Sequence, residues 1–118
     1  MDNFKTFILA ETLRRQREIG DYSPVSTFDR HHHARDVQHG PEFSIATWAG
    51  KVCPADRKRL ERALRGLEAD GLIVVQRSDT NRVSHIKLTD AGLIAAEQLD
   101  GMDITDKAVA NVAAAITN

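Results

Sequence analysis

Residues 56–92 read DRKRLERALRGLEADGLIVVQRSDTNRVSHIKLTDAG. In the first part Leu60, Ala63, Leu64 and Leu67 recur at helical spacing, the pattern of a helix with one buried face. Asp56 is a good N-cap and Gly71 fits the C′ position, so a helix is expected over 57–70. The period then drops from about 3.6 to 2. Ile73 and Val75 alternate in 72–77, Ile86 and Leu88 alternate in Val83–Leu88, and polar residues fill 78–81. That is the pattern of two short strands joined by a turn. Thr89 then caps a new helix that reaches about Leu99.

The charges of the 57–70 helix are sorted by face. At about 100° per residue, Lys58, Arg62 and Arg65 fall directly opposite the apolar stripe. Arg57 and Arg59 flank that side in the first turn, and Glu61 is the one acidic residue among them. A helix fits the DNA major groove, where Arg pairs bidentately with guanine and flanking cations neutralise phosphates. A solvated amphipathic helix carries the same stripe with no partner at all. In the hairpin, Arg77, Asn81 and Arg82 stand at or near the turn. They could meet phosphates or the minor groove, or simply keep a strand edge from pairing with another chain.

Upstream, Ser44 can cap a short helix over 44–52, with Ile45, Trp48, Ala49 and Val52 on one face and Pro54 enforcing a break. Together with the basic helix this makes a helix-turn-helix pattern. Residues 20–42 hold Gly20, Pro24, Gly40 and Pro41 among His, Asp, Arg and Ser. They are expected to form a long loop with at most a short helical turn near 28–37. Residues 3–19 read as a helix, with Phe4, Phe7, Ile8, Leu9 and Leu13 at helical spacing and Gly20 as its stop. At the other end Ile104, Ala108, Val112 and Ile116 predict a helix over 104–117. Its stripe could cover its own domain or pair with the N-terminal helix of a second copy. The second is favoured, because the segment at 44–99 already supplies a core.

With 118 residues, 42% of them hydrophobic, the chain suits one soluble domain spanning 1–118. Its 16 basic and 17 acidic residues give a net charge of −1, so any basic footprint must come from local clustering. A single cysteine, Cys53, excludes an intrachain disulfide and a multi-cysteine zinc site. It suits a reducing compartment. No apolar run is long enough to span a bilayer, and the N-terminal stretch is too short for a signal peptide; a cytoplasmic protein is expected. His31, His32, His33 and His39, with Asp36 or Cys53 as extra ligands, match no established zinc spacing. A solvated loop accounts for them better, and neither a metal site nor a cofactor is expected. Cys53 and Trp48 are read as core residues. No phosphate-binding Gly-rich loop or nucleophile motif is present, so no enzyme is expected.

The phrases LERALRGLEADGLI and IKLTDAG, either side of a polar hairpin, resemble the winged helix-turn-helix of bacterial transcriptional regulators. The likeness is closest to the MarR family, with PadR-like regulators next. It rests on Leu67, Glu68, Gly71, Leu72 and Ile73 at the end of the recognition helix, and on Leu88, Thr89 and Gly92 after the wing. Counted back from Thr89, Arg82 takes the wing arginine position, while Thr80 stands where the family has Asp. The resemblance covers 44–99 and implies a mainly α fold with a small β-hairpin wing. It also implies a homodimer, held by N- and C-terminal helices, that binds double-stranded DNA. The recognition helix would be 57–70 and the wing 76–84. DNA contacts are expected from Arg57, Lys58, Arg59, Arg62, Arg65, Arg77 and Arg82. The alternative is a winged-helix module that binds another protein and no DNA.

Overall fold

The computed structural model of the chain describes residues 2–100. The elements run α1 (Asn3–Asp21), α2 (Thr27–His39), α3 (Ile45–Ala49), α4 (Pro54–Ala69), β1 (Ile73–Arg77), β2 (Val83–Leu88) and α5 (Asp90–Asp100). The fold is mainly helical with one antiparallel hairpin, in a winged-helix-like layout. The helix expected at 104–117 lies outside the described residues.

Helix α4 is built as its sequence pattern requires. Leu60, Ala63, Leu64 and Leu67 are buried, and its end closes in a Schellman arrangement. Leu72 N donates to Leu67 O at 3.0 Å and Gly71 N to Glu68 O at 3.1 Å. Gly71 sits at φ +73°, a backbone conformation that a Cβ disfavours. The start of α4 differs from expectation. Asp56 is not the N-cap; the helix begins at Pro54, with Cys53 as a cap that offers no side-chain hydrogen bond. Proline at N1 already has the required φ and lacks the N–H that a first turn would leave unpaired. Asp56 lies inside the first turn, buried, and accepts from Arg59 Nη1 at 2.8 Å. Cys53 is exposed, not the core residue expected, because the cap position turns it outward ahead of the buried stripe.

The hairpin pairs Ile73 with Leu88 and Val75 with Ile86. Gln76 faces His85 and Arg77 faces Val83, so Ser84 is the extra residue of a β-bulge. The other edge of β2 is also occupied. Phe43 N donates to Ser84 O at 2.9 Å and Ile86 N to Pro41 O at 3.2 Å, making a bridge between Glu42 and His85. β2 therefore runs between β1 and a short extended segment at 41–43.

The segment 20–42 corrects the expectation of a long loop. It contains α2, capped by Ser26, whose Oγ accepts from Asp29 N at 3.0 Å. No residue of α2 is buried, so the helix has no apolar stripe to reveal it in the sequence. It is held by polar contacts. Lys87 Nζ donates to Val37 O at 3.2 Å, on the negative end of the helix, and His33 Nε2 lies 2.9 Å from Ile19 O. α1 also runs past its expected stop, through Gly20 to Asp21. A glycine in the last, exposed turn costs no more than about 1 kcal/mol.

The core joins Phe7, Ile8, Leu9 and Leu13 of α1 to Leu60, Leu64 and Leu67 of α4 and to Ile73, Ile86 and Leu88 of the hairpin. Trp48 closes one side, as its sequence context implies; its Nε1 donates to Glu42 O at 2.9 Å. Gln16 Oε1 accepts from Leu88 N at 2.8 Å, which ties α1 to the end of the wing. No helix of the described residues is long and apolar enough to cross a membrane.

Candidate nucleic-acid interface

The short α3, the turn after it and α4 follow one another in chain order, and the hairpin comes directly after them. Ser44 caps α3, its Oγ accepting from Thr47 N at 3.3 Å. Between α3, α4 and the hairpin lies an open cleft of about 730 Å³. Arg57 and Arg65 enter it from α4, and Arg77, Asn81 and Arg82 from the hairpin. Two carboxylates, Glu61 and Glu68, line the same cleft. Four arginines against two glutamates leave a net positive charge.

The helix positions explain this grouping. Arg57, Glu61, Arg65 and Glu68 follow one another at spacings of three and four, which puts them on one flank of α4. Arg59 and Arg62 fall on the other flank. There they line a second groove of about 370 Å³, beside Asp2 and Lys5 of the N-terminal segment. Lys58 is exposed and lines neither groove. The expected cationic row is thus exposed throughout, but only Arg57, Arg65, Arg77 and Arg82 converge.

Ion pairing separates them further. Arg77 Nη2 lies 3.6 Å from Glu68 Oε1, an exposed pair worth no more than about 1 kcal/mol and readily exchanged for a phosphate. Arg59 is held by the buried Asp56. Among the described residues, Arg57, Lys58, Arg62, Arg65 and Arg82 have no intramolecular ion pair. Free guanidinium groups in a concave site can donate forked hydrogen bonds to anionic or carbonyl acceptors.

The wing tip is set by its own backbone. Ser78 N donates to Arg82 O at 2.8 Å and Asn81 N to Ser78 O at 2.9 Å. Asn81 takes φ +62°, which Asn tolerates better than most side chains. Thr80 Oγ1 lies 3.0 Å from Ser78 Oγ, so Thr80 is engaged within the turn. Glu61 is evident in the sequence among the cations of α4, whereas the second counter-charge in the cleft, Glu68, is not. Glu68 was visible only as part of the helix-end phrase, and its meeting with Arg77 depends on the hairpin folding back along α4.

Comparison with known proteins finds no family model, curated protein or solved structure that matches the chain.

Proposed function

We propose that this protein binds double-stranded DNA as a homodimeric, non-enzymatic transcriptional regulator of the cytoplasm. The observation that carries the reading is the convergence of Arg57, Arg65, Arg77 and Arg82 on one cleft between a helix-turn-helix and its wing. In this reading α4 enters the major groove, with Arg57, Lys58 and Arg65 towards the bases and nearest phosphates. Arg77 and Arg82 follow the backbone or the minor groove, and Arg59 and Arg62 meet phosphates on the far side of α4. The resemblance of the helix-end and post-wing phrases to MarR-like regulators supports the same assignment.

A homodimer would use the terminal helices. The apolar residues of α1 are buried against its own domain, so α1 would offer a partner only its outer face. The segment at 104–117 would supply the apolar share.

Salt-dependent binding of duplex DNA tests the reading, with bound sequences selected from a random pool. The Arg65→Ala/Arg82→Ala double variant should weaken binding by roughly a hundredfold or more, at about 1–3 kcal/mol per specific arginine contact. Its log–log salt slope should fall by about 0.9 for each lost phosphate contact. Retention of full affinity by this variant would reject the cleft as the binding surface. One observation favours a second reading, a module that binds another protein. Glu61 and Glu68 stand in the cleft with the arginines, a mixed charge that suits a polypeptide surface. Absence of duplex binding at low salt and micromolar protein would select it.

A further inference from the structure

On the face of the hairpin where α2 docks, three metal-ligand side chains from three different segments converge. They are Asp36 near the end of α2, Glu42 in the extended segment before α3, and His85 in β2. One potential ligand atom from each lies within 4.8 Å of the others. They line a cavity of about 640 Å³. None of them belongs to the arginine cleft.

The backbone fixes all three positions. Glu42 is bridged to His85 across the sheet edge, and its carbonyl accepts from Trp48 Nε1. Asp36 is brought close because Gly40 passes over β2. A Cβ at Gly40 would stand 2.0 Å from Ile86 O, and its φ is +87°, so no other residue fits there without displacing α2.

The hydrogen bonding of His85 decides the chemistry. The imidazole is buried, at 4% exposure. Its Nδ1 lies 3.0 Å from Ser84 Oγ, and Ser84 Oγ donates its one proton to Gln76 O at 3.2 Å. Ser84 therefore accepts from His85, and Nδ1 carries the hydrogen. In the neutral ring this leaves Nε2 as a bare lone pair, and it faces Asp36 Oδ1 at 3.5 Å. Nε2 is buried and the carboxylate partly exposed, and two facing acceptors at this distance are relieved by a positive charge between them, either a proton on Nε2 or a bound cation. The Ser84 contact is also the outer hydrogen bond that fixes the tautomer of a metal-binding histidine.

The spacing suits an ion. Zinc bonds to imidazole nitrogen and carboxylate oxygen are about 2.0–2.2 Å, so neighbouring tetrahedral ligands stand about 3.3 Å apart. The His85–Asp36 separation is close to this, and Glu42 is exposed and free to rotate inward. Burial, and then the nearby Glu42 carboxylate, push the Asp36 carboxyl above the usual carboxylate range, against the pull of His85, His32 and His33.

We propose that Asp36, Glu42 and His85 Nε2 form a binding site for a divalent transition-series cation of the zinc type, which clamps α2 to β2. One nitrogen and two carboxylate donors favour such an ion over a purely oxygen-seeking one. The proposal does not rest on DNA binding and stands or falls separately from it.

The test is titration of the metal-free full chain with Zn2+ in competition with a chromophoric chelator, together with thermal unfolding and amide exchange. One ion per chain is expected, with Kd in the micromolar range or tighter, a raised Tm and slower exchange in α2. Asp36→Asn and Glu42→Gln should each weaken binding by about tenfold or more. The exposed-site controls His31→Gln and Cys53→Ser should bind as the parent does. His85→Gln should abolish binding; if that variant fails to fold, the two carboxylate variants decide. No uptake of Zn2+ by the parent chain would overturn the site. So would binding that survives Asp36→Asn and Glu42→Gln but is lost in the controls.

Discussion

Thr89 joins three elements through a few atoms. Its Oγ1 donates to Gly71 O at 2.6 Å and accepts from Gly92 N at 3.0 Å. Its own N–H donates to Leu72 O at 3.1 Å. The end of α4 and the start of α5 are thereby fastened at the open end of the hairpin. Gly92 is part of the same arrangement, because a Cβ there would lie 1.8 Å from Leu72 O. Alanine in a helix normally outranks glycine by about 1 kcal/mol. Here the order should reverse, and Gly92→Ala is expected to lower the urea midpoint of unfolding. Thr89→Ala should cost about 1–2 kcal/mol, the usual loss for a helix cap. This contact set is the physical content of the Gly-Leu-Ile and Leu-Thr-x-x-Gly phrases, which is why those phrases were readable in the sequence. Arg57 and Arg65 were readable from helical spacing, and Arg77 and Arg82 from their place at the hairpin turn, but the parting of Arg59 and Arg62 to another groove was not. The meeting of Asp36, Glu42 and His85 was not. His85 stands far along the chain from Asp36 and Glu42, and the three come together only through an edge pairing and a glycine crossing.

α2 shows the limit of periodicity as a guide. A helix announces itself through the residues it buries, and α2 buries none. Its signals were a Ser26 cap and an acidic first turn, short-range features that a run of histidines and two flanking prolines concealed. α4 and the hairpin, by contrast, bury alternate or every-third-and-fourth positions, and their strands fall where expected. Because α2 is fastened by polar contacts, from His33 to the Ile19 carbonyl and from Lys87 to its own Val37 and Gln38 carbonyls, it should open at a lower free energy than α1 or α4. Native-state hydrogen exchange is expected to show α2 amides exchanging well before those of α4. Equal protection of the two would contradict this account. Gly40→Ala should detach α2 first, at a cost of at least about 1–3 kcal/mol from backbone strain. Loss of the α2 exchange pattern ahead of global unfolding would register it.

A single apolar centre unites the described residues, and Leu67, fully buried, lies in it with Leu9 and Ile86. Leu67→Ala is expected to cost about 2–5 kcal/mol, read as a lower midpoint in one cooperative transition by two spectroscopic probes. Separate transitions for α1 and the hairpin would contradict a shared core. That core also sets an order of events during synthesis. α1 finds its buried partners chiefly on α4, β2 and α5, all of which leave the ribosome after it. At about 5–20 residues per second, Phe7, Ile8, Leu9 and Leu13 wait for several seconds before the last of those surfaces exists. The newborn chain is therefore a client for whatever shelters apolar helices in the cell, and its most vulnerable interval ends only when α5 has emerged.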